Sequence, residues 1–415
     1  MLKLVPVTPK HLGDYAAVVG PDVVEDLRRK AKPFRGARVL HVNSTAFGGG
    51  VAELLYTLVP LYRDLGIDCE WRVIDGDEEF FTVTKAMHNG LQGAEVVWTE
   101  RMEQVYREVA EDNARLYEGK YDFVIIHDPQ PAGILDVLKD KVGSPAGRWI
   151  WRCHIDLTTP HRPVWDFLAP LLSDYDVAVF TMQEFVPAGL SGPRIALIPP
   201  SIDPLSLKNI PLDEEIVQTV ERRYGLDPAR PLLVQVSRFD PWKDPLGVID
   251  AYRIVKDEIP DVQLFMVASM ASDDPEGWHY YRKADEHRRG DDDIRLLSNF
   301  QDVGALVVNA IQRSADVVFQ KSLREGFGLT VTEGMWKRKP VVAGNVGGIR
   351  LQIEDGATGF LVDSVEQCAR RAIEVIHDPA GAEEMGHAAR RTVRDRFLST
   401  RSIADYLDLF ASLSV

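Results

Sequence analysis

The strongest constraint in this sequence is a repeated alternation of short apolar runs with amphipathic stretches. The runs are Ala37–Val42, Cys69–Ile74, Phe123–His127, Trp149–Cys153, Val177–Phe180 and Ile195–Ile198. A second set follows at Leu232–Val236, Val262–Val267, Ile294–Leu297, Val317–Phe319, Pro340–Ala343 and Gly359–Val362. They are continuously apolar rather than alternating, as expected of strands buried on both faces of a parallel sheet. Helical periodicity fills the gaps, at Gly50–Leu65, Met102–Tyr117, Val164–Ser173, Pro245–Asp257, Val303–Ser314, Leu329–Lys337, Ser364–His377 and Gly381–Arg396. Strand, helix, strand in this order means crossovers of one hand and a doubly wound α/β sheet, formed twice.

The two sets part near Pro199–Pro231. Ile198-Pro199-Pro200-Ser201-Ile202-Asp203-Pro204 can continue neither strand nor helix. A charged stretch, Asp213–Arg230, then leads into the next strand. The expected division is a first domain over 1–205 joined by a last helix within 398–415, and a second over 206–397. Open α/β sheets bind ligands at the carboxyl ends of their strands. Two such domains facing a central cleft would put the chemistry there.

Composition removes several classes of function. Of 415 residues, 48 are Lys or Arg and 63 are Asp or Glu, a net charge of −15. That argues against a nucleic-acid partner, though local cations can still hold a small anion. Cys69, Cys153 and Cys368 are scattered and form no CxxC pair, so neither a disulfide framework nor a zinc site is expected. No run approaches the length needed to span a bilayer, and the first residues lack a signal-peptide core. The expectation is a cytoplasmic protein without a membrane partner, with a homodimer as the default assembly.

The polar residues fall just after strands. Asn43-Ser44-Thr45-Ala46-Phe47-Gly48-Gly49-Gly50 joins a strand to a helix, a geometry in which backbone N–H groups approach an anion. By itself the cluster reads equally well as a tight turn. Arg238 and Lys243, five positions apart in Ser-Arg-Phe-Asp-Pro-Trp-Lys-Asp-Pro, suit a diphosphate, or else pair with Asp240 and Asp244 as surface charges. In Glu325-Gly326-Phe327-Gly328-Leu329-Thr330-Val331-Thr332-Glu333, Glu325 precedes a helix and Glu333 lies about one turn inside it. The amides of Gly328, Leu329 and Thr330 then open toward phosphate or sugar oxygens. Asn345–Ile349 reads as another glycine turn at a helix start. Asp75, His127-Asp128-Pro129-Gln130 and His154-Ile155-Asp156 end strands of the first domain. Walker, GxGxxG, HExxH and GxSxG patterns are missing, so no metal site is expected.

Together the E-x7-E string, the Arg238/Lys243 pair and the glycine loop resemble the retaining GT-B glycosyltransferases, over nearly the whole chain. Phe81–Gly93, His127–Pro131, Trp151–Asp156 and Gln320–Trp336 are more closely similar to the trehalose glycosyltransferring synthases. One departure matters: polyglucan synthases of this fold carry a lysine in the first glycine loop, and Phe47-Gly48-Gly49-Gly50-Val51 has none.

The resemblance implies a GT-B fold and reversible, retaining transfer of glucose from a nucleotide-diphosphate glucose (ADP-, UDP- or GDP-glucose) to free glucose, giving trehalose. It implies roles as well. Arg238 and Lys243 neutralise the diphosphate, Glu325 holds glucose hydroxyls, and His154 touches the donor sugar. Gly48, Gly49, Gly50, Gly328, Leu329 and Thr330 contact the donor, and Glu333 binds its ribose. Asp75, His88, Asn89, Asp128 and Gln130 receive the acceptor. No cofactor is required, and any Mg²⁺ would ride on the diphosphate without a protein site of its own. Three alternatives stay open: a retaining trehalose phosphorylase, a transferase with a sugar-phosphate acceptor, and a non-catalytic nucleotide-sugar sensor.

Overall fold

The computed structural model describes residues 2–47, 49–143, 145–268, 270 and 275–414. The chain divides into two compact units, Met1–Pro200 with Ser399–Val415, and Ser201–Leu398. The second unit begins a few residues ahead of the boundary expected from sequence, because Ile202 already belongs to it: its N–H donates to the Phe397 carbonyl at 2.9 Å, and it bridges to Leu398.

The first unit holds β1 (Lys3–Leu4), β2 (Arg38–Asn43), β3 (Asp68–Val73), β4 (Phe123–His127), β5 (Arg148–Arg152), β6 (Val177–Phe180) and β7 (Arg194–Leu197). Their order across the sheet is β1-β3-β2-β4-β5-β6-β7, with β1 antiparallel and the remainder parallel. β1 was not expected; two exposed residues pairing an edge leave no periodicity to read. In the second unit β8 (Leu232–Val236), β9 (Gln263–Ala268), β10 (Ile294–Ser298), β11 (Val317–Gln320), β12 (Val341–Gly344) and β13 (Phe360–Val362) form an all-parallel sheet. Its order is β10-β9-β8-β11-β12-β13. Both sheets are doubly wound. Chain order reverses between β2 and β4 in the first and between β8 and β11 in the second, and ligands settle outside the carboxyl ends of strands at such points.

The strands are apolar because both faces are covered. β4 is buried throughout, and so are β9, β11 and β12. The helix Ser399–Leu413 returns to the first unit, packing against helices Pro21–Ala31 and Gly49–Asp64. Phe410 is its anchor, stacked on Phe123 at 4.2 Å and edge-on to Phe34 at 6.0 Å between ring centroids.

Three segments go beyond or against expectation. The charged stretch contains a helix, Glu214–Tyr224, with Glu214 and Glu215 in its first turn, Arg222 and Arg223 in its last, and left-handed Gly225 after it. That arrangement complements the helix dipole and ends in a glycine cap, so a segment that looks like linker is a helix. Phe81–Gly93 is mostly helical too, within Glu78–Leu91, which Asp77 caps by accepting from Phe80 N at 2.9 Å. Conversely, Asn345–Ile349 does not start an α-helix. Gly347–Leu351 is a 3-10 turn, and the next α-helix waits for the Ser364 cap.

Candidate functional site

In the second unit the predicted polar residues converge on the switch point between β8 and β11. After β8 the chain turns back through the 3-10 turn Pro241–Lys243, capped by Asp240, which accepts from Lys243 N at 3.1 Å. Asp244 follows at φ 47° and caps the helix Pro245–Glu258 by accepting from Gly247 N at 3.1 Å. Gln235 fastens the corner to β8, donating to the Lys243 carbonyl at 3.0 Å. Two Asp caps and two prolines within six residues thus fix the Lys243 backbone.

The Lys243 ammonium crosses to the loop after β11, 2.5 Å from Glu325 Oε2, and Ser322 Oγ donates to the same oxygen at 3.3 Å. Arg238 stands 63% exposed, 3.0 Å from Asp240 Oδ2. Each cation therefore already faces a carboxylate. The anticipated Arg238–Asp240 pair is present, whereas Asp244 pairs not with Lys243 but with Lys321, a buried cation the sequence reading missed.

Gly328, at φ 84°, is the N-cap of helix Leu329–Trp336 and offers no side-chain cap. The first-turn amides of Leu329 and Thr330 are thus left to loop atoms, solvent or a ligand. Gly348 lets this loop form: a Cβ there would meet the Gly326 carbonyl and lie 2.7 Å from Phe327 Cα. One turn into the helix, Glu333 is 1% exposed; its Oε1 lies 3.7 Å from Lys208 Nζ. Among the described residues its buried Oε2 has no hydrogen-bond partner. Such an oxygen is costly to leave unsatisfied and is placed to accept from a ligand hydroxyl. Lys337, a turn further on, donates to Asn209 Oδ1 at 3.1 Å; burial brings its pKa down to about 7, with Glu333 acting in the opposite direction.

In the first unit, four neighbouring strands deliver residues to one carboxyl edge. β2 leads toward helix Gly49–Asp64, where Gly49 is exposed and Gly50 half-buried; Gly48 lies outside the described residues. Asp75 follows β3 and is exposed, its N–H and carbonyl both tied to the Asn113 side chain, at 2.8 and 2.7 Å. After β4, Gln130 Oε1 is buried with no partner among the described residues. Asp128 sits at φ 63°, and its Oδ1 accepts from the His154 N–H at 2.7 Å. Burial raises the Asp128 pKa to about 6. One of its oxygens therefore braces the next loop rather than being wholly available to a sugar. His88 and Asn89 come from elsewhere, the last turn of Glu78–Leu91, a helix packed on Glu100–Leu116 and Arg162–Leu171.

His154 belongs to a row of three imidazoles of which the sequence reading found two. His41 Nδ1 lies 2.9 Å from His127 Nε2, and His127 Nδ1 lies 3.0 Å from His154 Nε2. The signal for His41 was a lone histidine inside the apolar run Val39–Val42. Burial holds all three well on the neutral side, His41 down to about 3. No group of three His, Cys, Asp or Glu residues placed to hold a metal occurs among the described residues. No described helix is long and apolar enough to cross a membrane.

Comparison with known proteins agrees with this geometry. Residues 41–187 match the family model "Trehalose synthase, N-terminal domain", and residues 217–392 match "Glycosyl transferases group 1". The trehalose synthase of Rubrobacter xylanophilus is 50% identical over 416 residues, covering 100% of this chain and 99% of its own. The trehalose phosphorylase of Pleurotus pulmonarius is far more distant, 28% identical over 96% of this chain and 60% of its own. Among solved structures, trehalose-6-phosphate from E. coli bound with UDP-2-fluoro glucose superposes with a TM-score of 0.73 at 15% identity. It covers 90% of this chain and 99% of that one, a likeness of fold.

Proposed function

Because this chain belongs to the trehalose synthase family and is a GT-B glycosyltransferase, we propose that it makes trehalose by moving glucose, with retention, from a nucleotide-diphosphate glucose to free glucose. The observation that carries the donor assignment is the buried Glu333 Oε2, without a hydrogen-bond partner among the described residues, at the switch point that also holds Arg238 and Lys243. A carboxylate wanting a hydroxyl donor, on the helix that follows the same switch point as two cations and an open helix N-terminus, matches a ribose diol followed by a diphosphate.

In this reading Glu333 takes the ribose, the amides of Gly328–Thr330 take phosphate oxygens, and Arg238 and Lys243 meet the charge growing on the leaving diphosphate. In this reading Lys243 turns from Glu325 to the diphosphate. Glu325 is thereby freed to accept from the glucose hydroxyls, so phosphate and sugar recognition are exchanged through one ion pair. His154 contacts the donor sugar, and Gly49 and Gly50, with Gly48, border the donor phosphates. Asp75, His88, Asn89, Asp128 and Gln130 receive the acceptor, with Gln130 Oε1 awaiting a hydroxyl as Glu333 does. The bond from the anomeric carbon to the diphosphate breaks, the bond to the acceptor oxygen forms, and the acceptor's proton passes to the leaving phosphate.

The test is to mix the protein with nucleotide-glucose and glucose and look for a non-reducing disaccharide and free nucleoside diphosphate. A reducing product, or none with any common nucleotide, would overturn the proposal. Cleavage of trehalose by inorganic phosphate without nucleotide would identify a phosphorylase, and binding without turnover a sensor. A product only with glucose 6-phosphate would mark a sugar-phosphate acceptor. No cofactor enters this reading, so chelation is expected to leave the rate unchanged. The further proposal is a cytoplasmic homodimer, its mass readable by light scattering.

A further inference from the structure

His41 and His127 lie in the adjacent strands β2 and β4, and His154 follows two residues after the next strand, β5, in a way the sheet register dictates. His41 of β2 pairs with Ile125 of β4, and His127 of β4 pairs with Arg152 of β5. Each histidine therefore stands two residues further along than its neighbour's partner. Side chains in a strand repeat every second residue, so an offset of two keeps all three on one face. The row climbs diagonally from the core to the carboxyl edge. Its members grade from fully buried His41 through buried His127 to half-buried His154. The rings lie edge to edge and close to coplanar as they climb, with centroids 5.2 and 5.3 Å apart and interplanar angles of 27° and 14°.

Each neutral imidazole has one N–H and one lone pair, and two hydrogen bonds join three rings in series. Only two proton arrangements satisfy both bonds. In one, every N–H points outward and His154 keeps its proton on Nδ1. In the other, every N–H points inward and the proton on His41 Nε2 is stranded, because that atom is buried without a partner among the described residues. Tyr62, whose ring centroid lies 6.1 Å from that of His41, does not relieve it, since its hydroxyl also lacks a partner among the described residues. Orphaned buried N–H groups are rarer than under-satisfied acceptors, which favours the outward arrangement.

We propose that His127, itself oriented by His41, is a positioning residue that holds neutral His154 with its proton on Nδ1, presenting a hydrogen-bond donor to an oxygen of the bound donor. This rests on the reading of His154 as a donor-sugar contact. The two restraints on His154 are separate: Asp128 holds its backbone N–H, and His127 holds its ring. Arg152, buried beside His127 and His154, opposes a positive charge on either ring, so the row stays neutral and its direction carries the information.

The test reads ring-nitrogen NMR of ¹⁵N-histidine-labelled full-length protein without substrate. His154 is expected as the Nδ1–H tautomer, whereas neutral imidazole in water prefers Nε2–H. His127→Phe should return His154 to the Nε2–H form and lower kcat about tenfold or more, with KM for the acceptor changed little. His127→Gln, which can still donate and accept, should restore much of the rate. An Nε2–H signal for His154 in the unaltered protein overturns the proposal, whatever the variants do. So does a His127→Phe protein that keeps both tautomer and rate. If His127→Phe does not fold, the unaltered spectrum and His127→Gln decide. An Nδ1–H signal in a protein that makes no trehalose would uphold the row and sink the function instead.

Discussion

At the scale of single residues, charge in the second unit is arranged in pairs that a ligand must reopen. If Arg238 and Lys243 neutralise a leaving diphosphate, Arg238→Ala and Lys243→Ala should each lower initial rates by about 10²–10³-fold with circular dichroism unchanged. Near-normal rates in both would refute the assignment. Glu333→Ala should weaken nucleoside diphosphate binding by calorimetry, because it removes a buried carboxylate oxygen that has no donor among the described residues. Lys337 offers a prediction about stability. Its folded pKa of about 7 lies below the usual lysine value. Between the two, the unfolded chain binds the extra proton, so folding is favoured progressively as pH rises. The cost of burying the charge is fully present below pH 7. The melting temperature relative to Lys337→Met should therefore rise from pH 7 toward 10; a flat difference would show that the ammonium is not desolvated.

At the scale of elements, loop closures matter more than helix lengths. The E-x7-E segment works only because the turn Gly347–Leu351 tucks its backbone under Gly326 and Phe327. Gly348→Ala should destabilise the second unit by about 1–3 kcal/mol and displace Glu325, whose carbonyl accepts from Gly348 N at 3.2 Å. Denaturant titration beside a transfer assay checks both; an unperturbed midpoint would count against the close packing. This part of the site was legible only in outline. Glu325 and Glu333 stood out by their spacing, but the partner of Lys243 did not, since Asp244 is its sequence neighbour and Glu325 is far along the chain. The helix Glu214–Tyr224 was legible in hindsight, its charges sorted by end as a helix dipole requires.

At the scale of the molecule, each unit carries its own sheet, core and switch point, and the last helix completes the first unit. Phe410, buried against Phe34, Phe123 and Tyr406, should cost about 3–5 kcal/mol on truncation in Phe410→Ala. The loss should appear in the first unit: hydrogen exchange ought to rise in β2 and β4 and stay unchanged in β8 and β11. A uniform rise would deny that the helix belongs to the first unit's core.

By itself the sequence determined the class of fold, most strand positions to within a residue, and the family, because apolar runs buried on both faces and rigid loop motifs are local signals. The tertiary structure alone decided who faces whom. That Lys243 holds Glu325, that Lys321 holds Asp244, and that His41 lies behind His127 and His154 are matters of strand order and register. Register joins residues far apart in the chain, and no periodicity along one strand records which residue stands opposite it on the next.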